Sequence, residues 1–144
     1  MGFNHLRVYS ELEGNQLVGM SDVSAERLEA LKQRFNVPAY TDYRELIEKE
    51  KPEAVSITVP TSDHEQVASF ALRAGAHVLV EKPIAAKVEE GQRLIALAQE
   101  MKRQLMVGHI IRFNPAMQAL KAHLDAGELG KIFQIFCRRA GPFP

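Results

Sequence analysis

The run His77-Val78-Leu79-Val80 constrains this chain most: it is entered through Ala74-Gly75 and stopped by Glu81-Lys82-Pro83. Too short for a helix and apolar without alternation, it reads as a strand of a parallel sheet buried on both faces. Pro83 lacks the amide N–H that a ladder needs, so the strand stops before it. In open α/β sheets ligands sit beyond the carboxyl ends of the strands, which is where Glu81 and Lys82 fall. A carboxylate there can accept hydrogen bonds from sugar hydroxyls. An ammonium can donate to a hydroxyl or carbonyl oxygen whose charge changes in a reaction. Taken alone, the pair is equally a solvated strand end.

The rest of the chain repeats this scheme. Residues 2–12 carry Phe3, Leu6 and the pair Val8-Tyr9 at helical spacing with no strand in front, and Glu13-Gly14-Asn15 ends that helix. A strand is predicted over 16–20, closing on Ser21-Asp22, and Ser24 is the N-cap of a helix over 25–35 with Leu28 and Leu31 inward. Asn36-Val37-Pro38 breaks it. Asp42 caps the next helix, whose apolar side is Leu46 and Ile47, and Lys51-Pro52 is a turn. A buried strand over 54–59 leaves through Pro60-Thr61-Ser62-Asp63 into a helix over 64–74 with the stripe Val67, Phe70 and Ala71. A helix over 88–101 carries Leu94, Ile95, Leu97 and Ala98, and 104–108 is one more strand. Pro115 opens a helix to residue 126, closed by Gly127. Residues 131–139 alternate, with Ile132, Gln134 and Phe136 on one face and Phe133 and Ile135 on the other, and read as a final strand. Short strands alternating with helices call for a parallel sheet joined by right-handed crossovers, a doubly wound α/β fold.

The 144 residues carry 18 basic and 18 acidic side chains, which fits one soluble globular domain and gives no electrostatic case for nucleic acid or an anionic membrane. No run approaches the roughly 20 apolar residues of a membrane span, and the N-terminus lacks a signal-peptide pattern, so the chain reads as cytoplasmic. Cys137, the single cysteine, excludes an intrachain disulfide, suits a reducing compartment and reads as a small apolar residue of the final strand. His5 and His123 sit on helices without metal-ligand spacing, and no metal site is expected. There is neither a Gly-x-Ser-x-Gly element nor a phosphate-binding P-loop.

A dinucleotide-binding fold begins with a strand running into G-x-G-x-x-G, whose glycines let the backbone approach a pyrophosphate at a helix N-terminus. Here only Gly2 stands in that place, directly ahead of a helix. Asp22 lies twenty positions later at a strand end, where a fingerprint acid accepts from the adenosine ribose and repels a 2′-phosphate, favouring NAD over NADP. Asp22 is equally an Asx-turn or helix-cap residue.

Several segments in order resemble a known family: Met1-Gly2-Phe3-Asn4-His5, Ser21-Asp22, Thr58-Val59-Pro60 followed by His64, Ala74-Gly75-Ala76-His77-Val78-Leu79-Val80-Glu81-Lys82-Pro83, and Gly108-His109-Ile110-Ile111-Arg112-Phe113-Asn114-Pro115. Together they are similar to the N-terminal domain of the Gfo/Idh/MocA oxidoreductases, relatives of glucose-fructose oxidoreductase and inositol dehydrogenase. The resemblance implies a Rossmann-like NAD-binding domain over residues 1–130 that lacks the first strand and most of the glycine loop. It makes 131–144 the first strand of a C-terminal α/β substrate domain. Gly2 would be the last glycine of the phosphate loop, and Asp22 would bind the adenosine ribose. Thr58, Pro60 and His64 would lie along the nicotinamide half, and Glu81 would hold the nicotinamide ribose. Lys82, before a cis peptide bond to Pro83, would face the substrate hydroxyl that loses a hydride, and Arg112 would approach the nicotinamide end. Outside the resemblance, His64 is an ordinary first-turn helix residue, His109 a satisfied histidine at a strand end, and Arg112 a surface salt-bridge residue.

The implied partner is a sugar or nucleotide sugar. Residues 108–115, the turn Gly127-Glu128-Leu129-Gly130 and the ending 138–144 are most similar to dehydrogenases that oxidise the 3-hydroxyl of UDP-N-acetylglucosamine. Family members carry their acid/base Asp and His, and commonly their oligomer interface, in the second domain. The expectation is therefore a piece of a longer, homo-oligomeric dehydrogenase, inactive alone, with a strand and Gly-x-Gly upstream of Met1. The alternative is a non-catalytic dinucleotide-binding or sensing module that keeps only the fold.

Overall fold

A computed structural model describes residues 1–138; the ending 139–144, including Arg139 of the expected final strand, lies outside the described residues. The chain divides into two compact units, Met1–Gly108 and His109–Pro144. The first unit runs α1 (Gly2–Glu11), β1 (Met20–Ser21), α2 (Ala25–Phe35), β2 (Ala39–Tyr40), α3 (Tyr43–Glu50), β3 (Ala54–Ile57), α4 (His64–Arg73), β4 (His77–Val80), α5 (Val88–Glu100) and β5 (Leu105–Val107). All strand pairs are parallel, so the chain is α/β with a helix between successive strands.

The strand over His77–Val80 forms as expected and is central: β3 lies on one side and β5 on the other, with Val80 opposite Ile57 and Val107. Val78 and Val80 are buried because α4 packs on β3 and β4 while α5 packs on α4, whereas His77 and Leu79 on the other face are only half-buried, so the expected burial on both faces is not met. Ile57, Leu72, Val80 and Leu94 are almost wholly buried in the resulting cluster. Of the expected α5 stripe, Leu94, Leu97 and Ala98 face inward, but Ile95 is 49% exposed, because one residue after Leu94 the helix has turned about 100° away from the core. Ser24 and Asp42 cap α2 and α3 as expected, accepting from the backbone N–H of Arg27 and Arg44. Gly75, at φ +90°, reverses the chain between α4 and β4 in a conformation that disfavours any side chain.

Three expected strands shorten and one fails; the strand over 54–59 ends at Ile57 and that over 104–108 spans Leu105–Val107. The strand over 16–20 reduces to Met20–Ser21, since β2 offers partners only to those residues; β2 itself, two residues long, is too short to leave a periodic signal. The β1–β2 pair is not hydrogen-bonded to the β3–β4–β5 sheet. A groove of about 480 Å³ separates them, lined by residues 17–22 on one side, 54–59 on the other, and Gly2, Phe3 and His5 of α1.

In the second unit a single 3₁₀ turn, Ile110–Phe113, leads into α6 (Pro115–Asp125). Asn114 caps α6 by accepting from Ala116 and Met117, with Pro115 in the first turn, where no N–H partner is required. The strand expected over 131–139 is not formed in its described part: residues 131–138 are exposed and irregular, Cys137 among them. Alternation of apolar residues makes a strand only where a partner ladder closes its N–H and C=O groups, and none pairs with this segment among the described residues.

Candidate functional site

Parallel pairing puts the carboxyl ends of the strands of each sheet on one side; Gly2, Asp22 and Thr58 line the groove together, whereas Pro60, His64, Glu81 and Lys82 do not line it. Asp22 follows β1, Thr58 follows β3, Glu81 and Lys82 follow β4, and Gly108 follows β5. The ladders continue just past the strands, with Glu81 N–H donating to Ile57 O at 2.9 Å and Gly108 N–H to Val80 O at 2.8 Å, which fixes the backbone beneath the side chains.

Glu81 is the buried acid of the site, 7% exposed. Its Oε2 accepts from the backbone N–H of Lys82 at 3.2 Å, and its Oε1 lies 3.2 Å from Nε2 of His5 on α1. Behind it stands Gly108, where a Cβ would lie 3.3 Å from both Cδ and Oε1 of the carboxylate. The absent side chain thus leaves the space that the acid fills. Lys82 is exposed, and the Lys82-Pro83 peptide is cis, as the resemblance implied.

Gly2 opens α1 against Thr58: a Cβ there would come within 2.9 Å of Thr58 Oγ1, a contact that would force something to move. Asp22 accepts from Ser24 N–H through Oδ1 at 2.8 Å, the Asx-turn its position allowed, while Oδ2 is 3.7 Å from Arg27 Nη1. One carboxylate oxygen therefore remains only loosely engaged. Pro60 is exposed and accepts from Asp63 N–H at 2.9 Å, closing the turn into α4.

His64 is 1% exposed, and both ring nitrogens face backbone carbonyls: Nδ1 is 2.8 Å from Pro83 O and Nε2 is 3.0 Å from Val59 O. The imidazole ties the loop after β3 to the loop after β4. Both ring nitrogens face backbone, a neutral ring donating to one carbonyl at a time, so it shapes the rim through those loops. The next residue, Glu65, is clamped by Arg93 of α5, whose Nε and Nη2 donate to Oε1 and Oε2 at 2.6 and 3.0 Å. That guanidinium holds the Glu65 carboxyl below the usual carboxylate range. Arg112 belongs to the second unit, exposed in the 3₁₀ turn, as is His109 just before it.

Two partners of Glu81 and its neighbours were not singled out from the sequence. His5 also places Nδ1 2.7 Å from Ser56 Oγ on β3. The available signal was Ser56 itself, a polar residue inside an otherwise apolar strand, which calls for a buried hydrogen-bond partner.

The set fits a dinucleotide. Acceptors stand at the ends of β1 and β4, and a glycine stands at the head of α1, packed against Thr58. Residues 1–109 match the family described as "Oxidoreductase family, NAD-binding Rossmann fold". Among curated relatives, a UDP-N-acetylglucosamine 3-dehydrogenase of Acidithiobacillus ferrooxidans is 38% identical over 84% of this chain and 37% of its own length. An inositol 2-dehydrogenase of Salmonella paratyphi B is 32% identical over 96% of this chain and 42% of its own. Among solved structures, the WlbA dehydrogenase of Bordetella pertussis in complex with NADH and UDP-GlcNAcA superimposes with a TM-score of 0.87 at 25% identity, over 92% of this chain and 38% of that one. The myo-inositol 2-dehydrogenase of Lactobacillus plantarum gives 0.85 at 27% identity, over 91% and 40%. The chain thus spans about two fifths of the length of these relatives. The matched residues and the strand-end side chains lead to one conclusion: this chain belongs to the Gfo/Idh/MocA oxidoreductase family and carries its Rossmann-fold, NAD-binding part.

Proposed function

We propose that this chain is the cofactor-binding part of an NAD-dependent dehydrogenase acting on a sugar or nucleotide sugar, with a UDP-linked amino sugar the favoured substrate class. The observation that carries the reading is the buried carboxylate of Glu81 at the end of the central strand β4, fixed by the Lys82 N–H and His5. In this reading Glu81 accepts from the nicotinamide ribose hydroxyls, Asp22 accepts from the adenosine ribose, and Gly2 gives the pyrophosphate its approach to α1. Thr58 and Pro60 border the nicotinamide half, with His64 holding their loop. Lys82, exposed beside Glu81, donates to the substrate hydroxyl oxygen and stabilises the negative charge that grows there as its proton passes to an acid/base residue of the substrate domain. Bound nicotinamide supplies the hydride acceptor. Arg112 is proposed at the nicotinamide end.

The relatives are longer than this chain, and a longer polypeptide carrying a substrate domain is part of this proposal. The relative with the highest identity quoted above acts, by its name, on a UDP-amino sugar, which is the ground for the substrate class.

The test is calorimetric titration of NAD and NADP into the folded 144-residue chain, with Asp22→Asn beside it. The expected result is binding of NAD in preference to NADP, and a smaller preference in the variant because the charge facing the 2′-phosphate is gone. A folded chain that takes up neither nucleotide overturns the reading.

A further inference from the structure

His5 lies on a helix that is otherwise thinly held: α1 buries no residue completely. Its imidazole nevertheless reaches two strands at once, Ser56 of β3 and Glu81 beyond β4, with side-chain exposures of 18% for His5 and 9% for Glu81. An ionised carboxylate only accepts, so the proton facing Glu81 sits on Nε2. A neutral ring then has an acceptor at Nδ1, and the Ser56 hydroxyl is its donor. The direction is therefore Ser56 to His5 to Glu81. Tyr9, one helical turn on, sets its ring edge-on to the imidazole at 6.4 Å.

The carboxylate of Glu81 is thereby bounded on three sides: His5 on Oε1, the Lys82 N–H on Oε2, and Gly108 behind. One lone pair of each oxygen is engaged and one is left. A carboxylate so bounded presents its free lone pairs in one direction, whereas an unpinned glutamate must be ordered as its ligand binds, which weakens binding.

We infer that His5 is a positioning residue for the cofactor: it orients the Glu81 carboxylate toward the nicotinamide ribose and ties the head of α1, where Gly2 sits, to the ends of β3 and β4. The inference rests on the proposed cofactor reading. It assigns His5 no contact with the cofactor and no proton transfer.

The test pairs two substitutions with two ligands. His5→Phe keeps a ring and removes both nitrogens; His5→Gln keeps an N–H donor near the place of Nε2. Calorimetry with NAD and with AMP, which lacks the nicotinamide ribose, should show His5→Phe binding NAD roughly tenfold more weakly, a loss of about one hydrogen bond, with AMP unchanged. His5→Gln should recover most of the NAD affinity. Equal losses for NAD and AMP, unchanged NAD binding in His5→Phe, or a Gln variant no better than Phe would each overturn the inference. A ligand-free readout separates it from the cofactor reading. The imidazole ¹⁵N spectrum of His5 should show the proton on Nε2, and that resonance should move in Glu81→Ala. If the wild type binds neither ligand, the cofactor reading fails, and a spectrum indifferent to Glu81→Ala removes the positioning role as well.

Discussion

Replacing His64 by Phe isolates what holds the two rim loops together. The ring is kept, but the donors that face Val59 O at 3.0 Å and Pro83 O at 2.8 Å disappear. A neutral imidazole serves one of these carbonyls at a time and an imidazolium serves both; Phe serves neither. Leaving a buried acceptor unsatisfied costs about 1–3 kcal/mol. Pro83 is an exposed residue, so water replaces the lost donor there, and the penalty concentrates at half-buried Val59. The working figure is about 2 kcal/mol, a substantial part of the roughly 5–15 kcal/mol that stabilises a domain. With a urea slope of about 1–3 kcal/mol per molar, that lowers the unfolding midpoint by about 1 M. The assay is urea denaturation followed by circular dichroism, with hydrogen exchange to locate the loosened segment at the loops after β3 and β4. A midpoint lowered by less than about 0.3 M, well short of the expected shift, would refute the argument that these carbonyls depend on His64.

Two further outcomes follow from contacts at and beside the site. Gly108→Ala places a methyl 3.3 Å from the Glu81 carboxylate, which His5 and the Lys82 N–H keep from moving aside, so NAD affinity should fall in calorimetry while the helical dichroism stays that of the wild type. The Arg93 guanidinium lowers the Glu65 carboxyl below its ordinary value of 4.5, so the pair contributes stability above that pH and loses it as the pH falls through the folded value. Arg93→Gln should therefore flatten the acid limb of the stability profile, by a small amount because Arg93 is largely solvated; an unchanged acid limb would show the pair contributes nothing.

The comparison of sequence with structure is most instructive at three places. The run over His77–Val80 was legible because a short apolar stretch stopped by a proline is too short for a helix, and the strand forms with those bounds, buried at Val78 and Val80 only. The stretch over 131–139 carried an equally regular pattern, yet its described part forms no strand. Alternation records which face a strand would bury, and pairing is supplied by another segment. His5 illustrates the converse. By sequence it was a helix histidine without metal-ligand spacing, because its partners, Ser56 and Glu81, are 51 and 76 residues away.

What the sequence by itself determined was local: the capped helices, the strand ends, the placement of Gly2, Asp22, Glu81 and Lys82 at breaks between elements, and the doubly wound order that follows from alternation. These depend on neighbours a few residues apart, where sterics and hydrogen-bonding capacity act directly. Only the tertiary structure decided that both His64 ring nitrogens face backbone carbonyls, that Gly108 leaves room for Glu81, and that His5 bridges a helix to two strands. Those contacts join segments distant in the chain, and a hydrogen bond between them exists only once the sheet has brought β3, β4 and α1 to the same edge.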